Sequence, residues 1–527
     1  MTPGHSAARS VAADGSLRFG SGAGRWVLLA SVLGSGLAGI DATVVNVALP
    51  SIGAGLHVDF AALQWTITAY TLTLASLILL GGALGDRYGR RRVFVVGVAW
   101  FAVASVLCGL APTAGWLIAA RAVQGMGGAL LLPGSLAMIQ ATFAAEHRAR
   151  AIGAWSGFGA IAAAIGPFTG GWLIEVASWR WVFLINAPLA LVVVLVAQRH
   201  VPETRGTTSA GRIDIVGATL GVLGLAGITY TIIAAPVHGL AATAPVGIAG
   251  AVCLAGFLLV EARSRHPMLP LSIFRSARFR SANAVTFAVY VAFGGVFFLL
   301  VVHLQIVAGF SPPAAGAALL PVTVVVLLLS ARGGRLAERT GPRLPMTAGP
   351  LVCAAGLLLM LRIGEHAAYV GDVAPAVIVL GLGLALLVAP LTATVLAAVD
   401  ARHAGLASGV NNAVAGVAGL LGVAALPALT GLSGAGHPDP TTFDSGFRIS
   451  MLIASGLLLI GSVLAAVTIP TRAPNRVSAA SRPCASRPAY GPSPPGTAPP
   501  ADSRRSTRPR GADGSARAPP PRARPSP

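Results

Sequence analysis

Apolar residues fall into fourteen long runs, broken by short polar stretches: 26–49, 61–82, 93–111, 115–139, 150–176, 180–198, 213–235, 243–262, 281–305, 313–331, 344–362, 373–396, 404–431 and 446–468. Most come near the ~20 residues that a helix needs to cross a bilayer. The expected fold is an all-α polytopic membrane protein with fourteen transmembrane helices. Loop charges test that count. Arg25, the Arg87–Arg92 cluster, Arg148 and Arg150, Arg199 to Arg212, Arg263 to Arg280, Arg332 to Arg343 and Arg402 all fall on one side of the alternation. Asp59, Glu365, Asp372, Asp439 and Asp444 fall on the other, against Arg180 and Arg448. Arginine accumulates on the cytoplasmic side of membrane proteins, which places both termini there. An odd count would break the pattern.

Composition agrees. Of 527 residues, 55% are hydrophobic and 10% charged, and the mean hydropathy is +0.76, which excludes a soluble domain and a disordered chain. The net charge of +20 would suggest nucleic acid in a soluble protein, but topology accounts for it here. The chain has no lysine, so it has neither a Walker A loop nor a Schiff-base cofactor site. Cys108, Cys253, Cys353 and Cys484 show neither disulfide nor metal spacing. The polar segment up to Arg25 has no apolar core, so no signal peptide is expected. Residues 471–527, rich in Pro, Arg, Ser, Ala and Gly, are expected to be a disordered cytoplasmic tail.

One polar interruption stands out. Gly82-Ala83-Leu84-Gly85-Asp86-Arg87-Tyr88-Gly89-Arg90-Arg91-Arg92 is a tight glycine- and arginine-rich loop between the second and third spans. Gly334-Arg335-Leu336-Ala337-Glu338-Arg339-Thr340-Gly341-Pro342-Arg343 repeats its spacing, with Glu338 matching Asp86 and Gly341 matching Gly89. Such a constant offset is an internal repeat. It implies a cytoplasmic segment 1–25, a six-helix domain 26–199, a linker 200–280 with two inserted helices, a six-helix domain 281–470 and the tail. The loop resembles the one between the second and third helices of the major facilitator superfamily. The resemblance implies a cytoplasmic gate formed by Gly82, Asp86, Arg87, Gly89, Arg90 and Arg91. Asp86 is expected to latch onto the start of span 13, after Arg402-His403, with Arg90 and Arg148 holding it.

Two charges lie within spans, where they are costly and suggest function by default. Asp41 in span 1 and Arg121 in span 4 fall at matching depth because those spans run in opposite directions. Pairing is open on sequence alone, between a structural ion pair and a proton-handling site. Leu117 to Gly128, around Arg121, resembles the superfamily's span-4 motif associated with proton transfer. Gly39 to Pro50, around Asp41, resembles the span-1 signature of its fourteen-span drug:proton antiporters. The resemblance assigns proton coupling to Asp41 and Arg121.

Span 5 carries small residues that permit close helix packing, and Pro167 is expected to bend it. Gly166-Pro167-Phe168-Thr169-Gly170-Gly171 resembles the motif of the family's exporters. Ser178 to Pro188, Leu304 to Pro321 and Gly405 to Asn412 resemble the same subfamily. Glu175 is expected to pair with Arg180 at the interface. His303 is expected to be solvated near the outer end of span 9, or else to touch substrate. Asn46, Tyr70, Gln124, Asn186, Gln305 and Asn411 are the candidate lining of a substrate cavity. Spans 9 and 10 hold no acidic residue, so no preference for dicationic drugs is implied. Gly431-Leu432-Ser433-Gly434 mimics an intramembrane protease motif but has no histidine partner.

No enzymatic site, cofactor, metal or nucleic-acid partner is expected. With no ATP site, an ion gradient must supply energy. The expected function is proton-driven efflux of amphipathic small molecules, drugs or antibiotics, across the cell membrane by alternating access, with the protein working as a monomer. A proton-coupled nutrient importer and a non-transporting sensor are the alternatives; span 5 argues against the importer.

Overall fold

The structure, a computed structural model, describes residues 17–205, 214–264, 267–399, 404–433 and 439–471. The expected tail, most of the segment before Arg25, the linker residues 206–213 and the Arg402-His403 pair lie outside the described residues.

Sixteen helices account for nearly all of it: α1 (Gly22–Leu56), α2 (Phe60–Tyr88), α3 (Arg90–Gly109), α4 (Ala114–Thr142), α5 (Ala145–Val176), α6 (Trp181–Leu184), α7 (Asn186–His200), α8 (Ile215–His238), α9 (Leu240–Arg263), α10 (Ala277–Ile306), α11 (Pro312–Ala317), α12 (Leu320–Thr340), α13 (Arg343–Leu359), α14 (Ala374–Ala397), α15 (Ala404–Leu429) and α16 (Pro440–Thr468). Among the described residues there is no named strand, only one isolated bridge between Leu17 and Phe143. Thirteen segments are long and apolar enough to cross a membrane. The remaining expected span, 150–176, lies in α5, which at 32 residues is as long as its neighbours. Two expected spans are broken helices, α6–α7 and α11–α12, and a break in a span is tolerated only where protein covers the freed backbone groups. α5 runs on through Pro167 as one helix.

Polar residues at the ends start these helices. Asp59 caps α2 by accepting from Ala62 N at 2.9 Å, and Asp439 caps α16 by accepting from Thr442 N at 2.6 Å. Those bonds to Thr442 hold the Asp439 carboxyl below the usual carboxylate range.

The repeat seen in the sequence is also a repeat in packing. α2 lies on α4, α3 on α4 and α1 on α5; α12 lies on α14, α13 on α14 and α10 on α15 in the same way. Its closest contacts are matched glycines. A Cβ on Gly81 would meet the backbone of Ala129 on α4, and one on Gly333 that of Ala385 on α14. At the next residue of each helix, a Cβ on Gly82 would lie 3.8 Å from Pro133 Cβ and one on Gly334 3.8 Å from Ala389 Cβ. Gly89 (φ +112°) and Gly341 (φ +85°) then end the two helices in a conformation that L side chains rarely adopt.

α8 and α9 pack on each other, and α8 lies over the seam between α2 and α15. Leu225 of α8 meets Leu72 and Leu420 there. At the face away from the arginine-rich loops, the two repeats are joined. Gln64 Nε2 donates to Val423 O at 2.8 Å and Ser433 Oγ donates to Gln64 Oε1 at 3.0 Å. Gln305 Nε2 donates to Val47 O at 3.0 Å. Phe60 packs between Phe298 (5.4 Å) and Phe443 (5.8 Å), while Gly171 of α5 abuts Pro312 and Pro313, and Gly316 of α11 abuts Pro167.

Candidate functional site

Asp41 and Arg121 do pair, deep inside the first repeat. Arg121 Nη1 donates to Asp41 Oδ2 at 2.5 Å, and each residue is 1% exposed. The other carboxylate oxygen accepts from Gln124 Nε2 at 2.8 Å and from Asn186 Nδ2 at 3.1 Å. Arg121 Nε donates to Thr66 O at 3.1 Å, and its guanidinium lies 4.2 Å from the centre of the Tyr70 ring. Ser105 Oγ accepts from Gln124 Nε2 at 2.8 Å. Five helices therefore supply one buried polar cluster: α1, α2, α3, α4 and α7.

Local sequence explains the assembly. On α5, a Cβ at Gly166 would meet Thr43 Oγ1, and one at Gly170 would fall 2.9 Å from Val44 Cγ1, so both must be small for α1 to come this close. The break at Ile185 starts α7 at Asn186, so its amide turns inward at the depth of Asp41. Removing one partner from a buried ion pair costs ~3–5 kcal/mol, which makes the cluster expensive to disturb.

The structure divides the six candidate cavity residues. Tyr70, Gln124 and Asn186 belong to the Asp41 cluster. Gln305 sits in the join with Val47. Asn411 donates to Asn283 Oδ1 at 3.1 Å and to Thr286 Oγ1 at 2.9 Å, bridging α15 to α10. Asn46 is half-buried on α1. Asn46 Oδ1, Tyr70 Oη and Asn186 Oδ1 are buried without a hydrogen-bond partner, so three of the six have an unused polar atom.

At the arginine-rich face, Arg90 Nη2 meets Asp86 Oδ1 at 2.8 Å and Nε donates to the same oxygen at 2.9 Å. The Arg87 guanidinium lies 5.5 Å from the Tyr88 ring centre. Sequence reading missed Glu203. Its carboxylate accepts from Arg91 N at 3.1 Å and from Arg92 N at 3.2 Å, and Arg91 Nη1 donates to Val201 O at 3.0 Å. Glu203 thus closes the N-terminus of α3, where free N–H groups and a positive dipole end favour an anion. The signal was an acid just past the sixth span, facing a helix that starts with three arginines.

Three expectations need correction. Arg148 does not reach Asp86; its Nε donates to Phe143 O at 2.9 Å, because α5 begins beside the end of α4. Arg180 does not pair with Glu175. It donates to the carbonyls of Gly109 (3.2 Å) and Ala111 (2.7 Å), at the negative end of α3. His303 is not solvated but 0% exposed, bonded to Asp444 and stacked on Phe447.

Among the described residues no group of His, Cys, Asp and Glu has the arrangement of a metal site. A family model described as Major Facilitator Superfamily matches residues 31–423. The puromycin resistance protein pur8 of Streptomyces alboniger is 36% identical over 462 residues, 85% of this chain and 92% of that protein. The multidrug resistance protein Stp of Mycobacterium tuberculosis (strain CDC 1551 / Oshkosh) is 36% identical over 394 residues, 73% of this chain and 72% of its own. Among solved structures, that of the POT family transporter PepTSo is similar at a TM-score of 0.62 and 14% identity. It covers 84% of this chain and 97% of that one.

Proposed function

The chain belongs to the major facilitator superfamily, and from that premise we propose that it exports amphipathic small molecules, antibiotics among them, across the cell membrane in exchange for protons. Efflux is supported by relatives that are named resistance proteins and align over most of both chains. Proton coupling is carried by one observation, the buried carboxylate of Asp41 facing Arg121. The working unit is a monomer of two six-helix domains, 26–199 and 281–470, joined by a linker, 200–280, that carries the inserted α8–α9 pair. The arginine-rich face is cytoplasmic, as are both termini. The joined face is then the outer one, and this arrangement is the outer-closed stage of an alternating-access cycle.

In that cycle Asp41 is ionised and paired while the outer face is shut. Once the outer face opens and the drug leaves, a proton binds Asp41 and releases Arg121. The domains then return, the proton leaves to the cytoplasm and the pair reforms. One proton moving down ~150 mV yields roughly 3.5 kcal/mol at about 2.3 kcal/mol per charge per 100 mV. That supports a concentration ratio of a few hundred.

Everted vesicles test the whole reading. An imposed gradient, acid inside, should drive drug accumulation, and an uncoupler should abolish it. Uptake that follows the opposite gradient would make the protein an importer, and no flux in either direction would make it a sensor.

The gate makes a smaller prediction. Asp86 is half-exposed at the end of α2, and a Cβ on Gly405, in the first turn of α15, would lie 3.8 Å from Gln140 Oε1 of α4. Arg90, which holds Asp86, also reaches that part of α4 at Ala137 O. When the cytoplasmic ends meet, the carboxylate reaches the N-terminus of α15, worth about 0.3–1 kcal/mol and up to ~2 when partly buried. Asp86→Asn should therefore shift the population inward by about fivefold at 1 kcal/mol and by at most roughly thirtyfold. Export should fall with drug binding intact, and a cysteine in the cytoplasmic cavity should label faster. Unchanged labelling and transport would reduce Asp86 to neutralising its arginines.

A further inference from the structure

We propose that His303, held by Asp444 behind the outer aromatic seal, is a second proton-binding site, reached from outside only when the seal opens. The proposal rests on the proton-driven reading above but uses a different domain and different residues.

His303 lies in the last turn of α10 and is completely buried. Its Nε2 is 3.0 Å from Asp444 Oδ1, and its ring stacks on Phe447 at 3.9 Å. Asp444 is fixed in turn. Its second oxygen accepts from Arg448 Nε at 2.7 Å, and Arg448 Nη1 donates to Leu361 O at 2.8 Å. Facing a carboxylate, Nε2 carries the proton and donates it. The bare nitrogen is then Nδ1, which is buried with no partner. A proton added there would give a cation well matched to Asp444. The new N–H would still point into a dry site with no acceptor, so uptake is disfavoured while the seal is shut.

The seal itself is one ring away. His303 lies against Phe443 (centroids 6.1 Å apart), and Phe443 packs on Phe60. Phe60 comes from α2, in the other domain. Opening the outer face withdraws Phe60 and lets water reach Phe443 and the imidazole behind it. Proton uptake at Nδ1 and opening of the seal therefore favour each other, by reciprocity of linked equilibria. The groups that act on the charge of His303 are Asp444 and Arg448 of α16. α10 has no other charged side chain after Arg280. α2 brings Asp59 and α16 brings Asp439, both exposed at their N-caps, and the turn after α13 brings exposed Arg362.

The test uses the full chain in lipid nanodiscs, native cysteines replaced, with spin labels on Pro112 and Glu365, which are exposed at the outer ends of the two domains. Pulsed-EPR distances are recorded from about pH 8 to about pH 5, either side of the ~6.5 at which histidine ordinarily titrates. The outer-open fraction should rise on acidification, by at most about tenfold per pH unit for each linked proton. His303→Gln keeps an N–H for Asp444 but cannot titrate, and should remove the part of the rise near neutral pH. Asp41→Asn should leave that part in place. A His303→Gln profile that superimposes on the unmodified one overturns the proposal, whereas drug accumulation in everted vesicles that ignores both the imposed pH gradient and an uncoupler overturns the proton-driven reading instead. Diethylpyrocarbonate, read by mass spectrometry, supplies a check on the unsubstituted histidine. Phe60→Ala should populate the open form and raise His303 modification several-fold. An imidazole that stays unmodified in the open form refutes the seal as its shield.

Discussion

Asp41→Asn is expected to abolish uphill export while leaving the protein folded and able to bind drug. The carboxylate accepts hydrogen bonds from Arg121, Gln124 and Asn186. An asparagine can offer its oxygen to only one side of that arrangement, and its NH2 then faces another donor. Arg121, 1% exposed, also loses its counter-charge. Breaking such a pair costs ~3–5 kcal/mol, so thermal unfolding of the purified variant must be measured alongside transport. Loading proteoliposomes under a pH gradient should fall about thirty- to a hundred-and-fiftyfold, the scale set by roughly two to three kcal/mol of lost coupling. Drug–drug exchange, which moves no net proton, should persist. Arg121→Ala leaves the buried carboxylate unpaired and should lose coupling too. Undiminished uphill export by Asp41→Asn would remove this residue from the proton path, and the pair would then be a structural one.

Much of this architecture is legible in the sequence because hydrocarbon is an unforgiving solvent. Long apolar runs must be helices, and arginines between them must be loops, so the spans and their repeat follow from composition along the chain. The depth argument that puts Asp41 opposite Arg121 works for the same reason: helices of fixed rise make position along a span a distance across the membrane. What the sequence hides is which way a side chain turns. Gln124 and Asn186 read as cavity-lining amides, yet both are turned onto Asp41. His303 reads as a solvated residue near a helix end, yet it lies under the Phe443 and Phe447 rings of α16 and is fully buried. Glu203 and Ser433 lie outside the helices, where helical periodicity says nothing of a side chain's direction. Their partners, the start of α3 and Gln64, lie more than a hundred residues away in the chain. Periodicity reports the face of a helix, not the identity of the atom waiting on the other side.

Glycine packing at the joined face, the outer one in the proposed cycle, gives the other large effect. A Cβ placed on Gly316 would run into the carbonyl group of Pro167, and one on Gly171 would lie 2.5 Å from Pro313 Cα and 2.6 Å from Pro312 O. Every one of these is a backbone atom, so no rotamer change relieves the clash and α5 must draw away from α11. Overpacking of this kind costs ~1–3 kcal/mol. The cost arises only where the two segments touch, which is the outer-closed state, and vanishes when the outer ends separate. Gly316→Ala should therefore shift the equilibrium toward the outer-open form by about five- to a hundredfold, and export should fall in proportion because the return step is blocked. Gly171→Ala should act alike, and the two together should not add fully, since either alone separates the same surfaces. Gly153→Ala is the control on the same helix, because its Cβ would meet no atom within 4 Å. Outer-end distances by pulsed EPR and initial export rates decide the matter. If Gly316→Ala exports at the unmodified rate with unchanged outer distances, contact between α5 and α11 does not set the balance between the two states.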